Sequence, residues 1–201
     1  MKALIYDGPE AITFREVPEP IPSQDNVLIK IKAVGICGSD MHAYLGHDER
    51  RPAPLILGHE AAGIISGGKR DGERVTINPL VSCGDCLVCK ARRENICPNR
   101  QIISMPPREG AFAQYVSMPE KNLVIVPNDY PLEKAALVEP LAVGWHTAKL
   151  AVRALDVTME KRALVIGGGA IGLATALALK AMGIDDLTIS EFNPLRRENL
   201  L

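Results

Sequence analysis

Residues 83–97 read CGDCLVCKARRENIC and hold four of the chain's five cysteines: Cys83, Cys86, Cys89 and Cys97. Two intervening residues let a tight turn bring a pair of sulfurs to one point. That spacing occurs twice here, before a longer return to Cys97. Such a set can close a tetrahedral thiolate cage, which suits zinc. The segment has few large apolar residues, so metal binding would have to supply its order. Two other chemistries use cysteines in this way. A disulfide framework fits an odd total of five poorly, and the opening MKALIYDGPE lacks the long apolar run of a secretory signal. An iron–sulfur cluster also accepts cysteines two apart. A closed cage leaves no ligand position open, so zinc here reads as a fold element and not a reaction centre.

Chemistry is more plausible elsewhere in the chain. Cys37 is the remaining cysteine, and Ser39, Asp40 and His42 follow it at the start of what reads as a short helix. Alone, such a cysteine is more often a small buried hydrophobe. In this company it brings a thiol, a hydroxyl and an imidazole near one point. Gly58-His59-Glu60 puts two metal-capable side chains after a turn glycine, although an exposed His-Glu pair is the plainer reading of that motif. His47 reads as an exposed loop residue. Glu139 stands among Leu, Val and Ala just before Pro140. A buried carboxylate needs a partner; a metal would serve, and helix capping is the alternative.

Several elements must position these residues. Ala3–Tyr6, Ile12–Val17 and the alternating Val27–Gly35 read as strands, the last delivering Cys37. Ala61–Ile65, Glu73–Ile77, Gly110–Val116 and Leu123–Pro127 follow, with Gly and Pro turns between them, as in a small β-barrel or sandwich. Pro131–Leu137 has helix composition, and a longer helix runs from Val138 to about Leu155. The texture then becomes α/β. Strand Ala163–Ile166 leads through Gly167-Gly168-Gly169-Ala170-Ile171-Gly172 into a helix from Leu173 to Met182, and a second strand ends at Glu191. Gly-x-Gly-x-x-Gly between strand and helix, with an acid about 20 residues on, is the dinucleotide-binding pattern. Gly167, Gly169 and Gly172, with Ala170 and Ile171, would let a pyrophosphate approach the helix N-terminus. Glu191 would accept hydrogen bonds from ribose hydroxyls and repel a 2′-phosphate, which favours NAD over NADP. Arg196 and Arg197 argue mildly for NADP, or form a solvated helix face.

The totals exclude other classes. A net charge of −1 gives no bulk case for nucleic acid or anionic membrane. No apolar run reaches the roughly 20 residues that span a bilayer. Reduced cysteines without a signal segment point to the cytoplasm.

Gly-Ile-Cys-Gly-Ser-Asp, Gly-His-Glu, the four-cysteine lobe, Val-Glu-Pro-Leu and Gly-x-Gly-x-x-Gly occur in that order. In this the chain resembles the zinc-dependent medium-chain dehydrogenases, most closely the sorbitol, threonine and sugar-alcohol branch, from Met1 to Leu201. The resemblance implies a mixed α/β chain: a GroES-like β-barrel catalytic domain over 1–150, with its structural zinc lobe at 81–98, then an incomplete Rossmann domain over 151–201. It implies that Cys37 and His59 bind a catalytic zinc, that Glu60 and Glu139 share the remaining protein ligand role, and that Ser39 and His42 form a proton relay. Zinc is a Lewis acid that lowers the pKa of an alcohol; hydride would pass to NAD. The implied activity is oxidation of a secondary alcohol, a polyol or sugar derivative, to a ketone, by a homo-oligomer.

The loop Ser66–Gly72 is shorter than that family usually has. The chain also stops at Leu201, where a doubly wound domain would still need about four more strands, so a longer enzyme is expected. Two rival readings are a catalytically silent zinc-binding fragment serving assembly, and a zinc-free quinone reductase of the same superfamily.

Overall fold

The computed structural model describes residues 1–23, 25–155 and 160–200. The chain forms two compact units, Met1–Leu137 and Val138–Leu201.

The first unit contains β1 (Lys2–Gly8), β2 (Ala11–Glu16), β3 (Asn26–Gly35), α1 (Gly38–Tyr44), β4 (Leu55–Ile56), β5 (Glu60–Ser66), β6 (Arg74–Ile77), β7 (Leu80–Val81), α2 (Leu87–Lys90), β8 (Gln101–Ile102), β9 (Tyr115–Pro119), β10 (Leu123–Ile125) and α3 (Leu132–Ala136). Its central sheet has the order β10-β6-β5-β3-β9, flanked by β2-β1-β4 and the small pair β7-β8. Neighbouring strands are antiparallel throughout these sheets. Alternation in β3 explains its place at the centre. Ile29 is fully buried while Lys30 and Lys32 face water. Ile29 joins Ala61, Ile65, Val75, Ile77, Ile103 and Met118 in the main core.

A β-bulge between Ile31 and Ala33 shifts the β3–β5 register, so that Gly35 pairs with Glu60. The two strands run in opposite directions. The residues just after β3 and just before β5 are therefore neighbours, which carries Cys37 to His59.

Gly110–Val116 is not one strand, as its composition suggests. Regular pairing begins only at Tyr115. Before it, Gly110, Ala111 and Phe112 donate their amides to the carbonyls of Ile56, Gly58 and Leu57. The segment threads closely past the turn before His59, and a side chain at Gly110 would strike the Leu57 carbonyl.

The second unit contains α4 (Val138–Ala154), β11 (Arg162–Ile166), α5 (Ala170–Ala181), β12 (Asp186–Ser190) and α6 (Pro194–Glu198). β11 and β12 are parallel, joined through α5. Helix α5 starts at Ala170, directly after its N-cap Gly169, and so three residues earlier than its first leucine suggests. The sequence reading lets α4 close the first domain. In the structure it groups with α5, because small residues let the two helices approach: Ala148 is fully buried, and a Cβ on Gly144 would meet the backbone at Ala174.

Candidate functional site

The turn between β4 and β5 sets the first centre. Gly58 has φ +91°, and a Cβ there would lie 2.6 Å from the Phe112 ring, so the turn that presents His59 needs glycine on both counts. Cys37 Sγ, a ring nitrogen of His59 and a carboxylate oxygen of Glu60 all lie within 4.8 Å of one another. His59 is 6% and Glu60 7% exposed. They are not the exposed pair that the motif suggests on its own. The Glu60 carboxylate fills space that exists because Gly35 has no side chain.

Asp40 ties this centre together. It is buried, and its Oδ2 accepts the Cys37 amide at 3.0 Å while its Oδ1 accepts the Gly58 amide at 3.1 Å. One carboxylate thus fixes the backbone beside both the thiol and the imidazole. Asp40 Oδ1 also lies 3.6 Å from His59 Nδ1, and Ser104 Oγ lies 3.5 Å from the same nitrogen. Nδ1 is therefore engaged, which leaves Nε2 for a ligand.

The charges follow from these contacts. Contact with His59 holds the Cys37 thiol below its ordinary range against the opposing effect of burial, and hydrogen bonds from Ser39 add to this. Burial pushes Asp40 up, but His59 and the two amides outweigh it and leave the carboxyl below its usual value. Burial likewise pulls His59 down, yet contacts with Asp40 and Cys37 prevail and raise it to about 10. The pocket thus draws positive charge onto the imidazole. A divalent cation answers the same demand, and a mixed S/N/O set with room for a further ligand suits zinc.

Ser39 is adjacent to the Cys37 sulfur through both hydroxyl and amide. His42 is exposed, one turn along α1, with its ring centroid 6.3 Å from that of His47. Glu139 sits half-buried in the first turn of α4, in the second unit. The sequence reading names Asp40 without giving it a role and passes over Ser104 and Arg51. Asp40 had a signal, an acid at the third position of a helix whose amides need acceptors. Ser104, far from His59 along the chain, had none.

The second centre is the cysteine lobe. Its sulfurs are 3.9 Å apart for Cys83–Cys89, 3.4 Å for Cys86–Cys89, 3.9 Å for Cys86–Cys97 and 3.5 Å for Cys83–Cys97. A tetrahedron with zinc–sulfur bonds of about 2.3 Å has edges of about 3.8 Å, and a disulfide would need about 2.05 Å. The geometry fits a four-thiolate cage. Burial pushes the Cys89 thiol up, while a backbone hydrogen bond at Cys83 holds Cys97 down.

In the second unit, a Cβ on Gly172 would collide with the Gly167 carbonyl, so the last glycine lets α5 start against the turn. Glu191 is buried, its Oε1 accepting the Asn193 amide and its Oε2 the Gly168 amide, both at 2.8 Å. These two bonds hold its carboxyl below the usual range. Arg196 is 3.9 Å from Glu191 Oε2, and Arg197 donates to the Glu191 carbonyl.

A separate cavity of about 490 Å³ lies in the first unit, lined by residues such as Ile5, Val17, Leu55, Ile56, Tyr115 and Val116. None of the side chains of the Cys37–His59–Glu60 centre or of the cysteine lobe lines it. Among the described residues, no helix is long and apolar enough to cross a membrane.

Comparison with known proteins adds independent findings. The family model of the alcohol dehydrogenase GroES-like domain matches residues 23–128. Sorbitol dehydrogenase of Bacillus subtilis (strain 168) is 38% identical, over 98% of this chain and 58% of its own length. L-galactonate-5-dehydrogenase of Escherichia coli (strain K12) is 36% identical, over 100% of this chain and 58% of its own. An alcohol dehydrogenase from Escherichia coli CFT073, solved with NADH, superposes with a TM-score of 0.88 at 31% identity, covering 98% of this chain and 58% of that one. The chain thus spans 58% of the length of these curated relatives.

Proposed function

The chain belongs to the alcohol dehydrogenase family with the GroES-like domain, the zinc-type medium-chain dehydrogenases, and from that premise we propose that it serves oxidation of a secondary alcohol, a polyol or sugar derivative, to a ketone with NAD. The observation that carries this reading is the convergence of Cys37, His59 and Glu60 within 4.8 Å. On this reading the catalytic domain spans 1–150 and a dinucleotide-binding portion spans 151–201.

Cys37, His59 and either Glu60 or Glu139 would hold the catalytic ion, and Cys83, Cys86, Cys89 and Cys97 the structural one. Zinc when bound would supply Lewis acidity that lowers the pKa of the alcohol, and NAD would accept the hydride. The chain's own residues would do the rest. Asp40 fixes the His59 tautomer and the Cys37 backbone. Ser39 would accept the alcohol's proton while passing its own towards exposed His42, which would release a proton to solvent. Removal of the alcohol's proton and of the carbinol hydride leaves the ketone. Gly167, Gly169, Ala170, Ile171 and Gly172 would cradle the pyrophosphate. Glu191, already ionised at the turn, would accept the ribose hydroxyls and so favour NAD over NADP, with Arg196 at the edge of that subsite.

The protein is proposed to act in the cytoplasm as a homo-oligomer. Relatives named for sorbitol and galactonate support the polyol class. The test is metal analysis together with NADH absorbance over a polyol panel. About two zinc ions per chain and NADH formation with a polyol are expected; zinc-free, folded protein would refute the reading.

A further inference from the structure

Arg51 is 3% exposed. Its guanidinium joins three separate segments. Nε donates to the Ser104 carbonyl at 2.9 Å, and Nη1 donates to the Ser39 carbonyl at 3.3 Å and to Asp48 Oδ2 at 2.6 Å. Both carbonyls belong to residues beside the first centre. Ser39 lies in the first turn of α1, whose N-cap is Cys37, and Ser104 Oγ is 3.5 Å from His59 Nδ1. Ser104 is fully buried with φ +64°, a conformation that side-chain-bearing residues seldom adopt unless their surroundings hold them there. Its carbonyl is inside the protein and takes its donor from Arg51. One planar fork therefore sits one residue away from both the thiol and the imidazole. Its charge is met by Asp48, so it does not oppose a cation at the centre.

We infer that Arg51 is a positioning residue for the Cys37–His59 centre, acting through Ser39 and through Ser104, whose hydroxyl orients the His59 ring. The inference rests on the reading of this centre as a zinc site. The fork geometry is what the role requires. A lysine would keep the charge but could not hold two carbonyls and a carboxylate at fixed angles. Outer partners of metal-binding histidines fix tautomer and ring orientation, and their loss commonly costs 10–100-fold in metal affinity.

The test uses the intact zinc-loaded polypeptide as wild type, Arg51→Met, Arg51→Lys and Ser104→Ala. Zinc is counted after challenge with a chelator, and the visible spectrum is recorded with cobalt at the first centre. Arg51→Met is expected to release one ion about 10–100-fold faster, with the cage ion retained. Free guanidinium should slow that release, and Arg51→Lys should restore retention only in part. Ser104→Ala leaves the Arg51 bond to the main chain and should shift the cobalt spectrum with a smaller loss of affinity. It decides the matter even if Arg51→Met does not fold. Unchanged retention and an unchanged spectrum in Ser104→Ala would overturn the inference, as would simultaneous loss of both ions from Arg51→Met without guanidinium rescue. A wild type that binds no ion at Cys37–His59 would instead overturn the zinc reading of the centre itself.

Discussion

The cysteine lobe draws its four donors from residues 83–97, one turn after another, with Cys83 exposed and Cys97 fully buried. The Cys37–His59–Glu60 centre draws its donors from the end of β3 and the entrance of β5, with His59 and Glu60 both buried. The first has identical donors, no vacancy and little fold around it. The second has three kinds of donor, a carboxylate behind it, and a sheet register that must form before it exists. An ion in the lobe would be part of folding; an ion in the mixed centre would be bound by a fold already made. The difference teaches which losses each region should tolerate.

The largest effect expected is in the lobe. Cys97→Ser breaks a closed cage whose metal supplies folding energy. A loss of several kcal/mol, at about 2–4 °C per kcal/mol for a chain of this size, lowers the melting temperature by on the order of 10 °C in calorimetry, or leaves the protein insoluble. Cys37→Ser should do the reverse. Turnover falls by more than the roughly 10–100-fold typical of outer partners, one zinc ion is lost, and the melt moves by less than about 3 °C. Matching behaviour of the two variants in melt and assay would erase the contrast.

The same contrast explains what the sequence could reveal. The cage was legible because its spacing is local: turn geometry alone brings the sulfurs together. His59 and Glu60 were ambiguous, since a His-Glu pair at a strand entrance is as often exposed. What resolved them was the pairing of Gly35 with Glu60, a long-range register set by a bulge that no local pattern announces. Ser104 was invisible for the same reason, and Gly110–Gln114 was mistaken for strand because its apolar residues serve a threaded crossing and not a ladder. Helix α4 was read correctly in extent, while its partner, α5, follows from small residues whose packing shows only in three dimensions. The glycine turn and Glu191 were legible because strand, turn, helix and acid fall in one short run.

Smaller changes sharpen the comparison. Asp40→Asn should weaken zinc at the mixed centre by about 10–100-fold in chelator competition, without moving cage retention; loss at the cage would show that the regions are not independent. Glu191→Ala frees the Gly168 amide and removes the acceptor at the glycine turn. NAD affinity should fall by about tenfold, with weaker discrimination against NADP in titrations of both cofactors. Unchanged preference would remove Glu191 from that role.

The last effect concerns the support beneath the mixed centre. Hydrogen bonding from Arg50, with the charge of Arg51 beside it, holds the Asp48 carboxyl down to about 2, from an ordinary 3.8. The folded state therefore favours the ionised form. The stabilisation is fully present above 3.8 and is lost as pH falls through about 2. Arg50 is exposed, but Arg51 and Asp48 are both buried, so Asp48→Asn leaves a buried guanidinium without its counter-charge and should cost about 3–5 kcal/mol. In urea melts, the difference between wild type and Asp48→Asn should stay flat from neutral pH to about 4.5 and narrow only below that. A metal-linked effect behaves differently, because protons compete with zinc for thiolate and imidazole at far milder acidity. A difference that vanished between about pH 7 and pH 5 would therefore mean that Asp48 acts chiefly through the ion, and that the support and the centre form one unit.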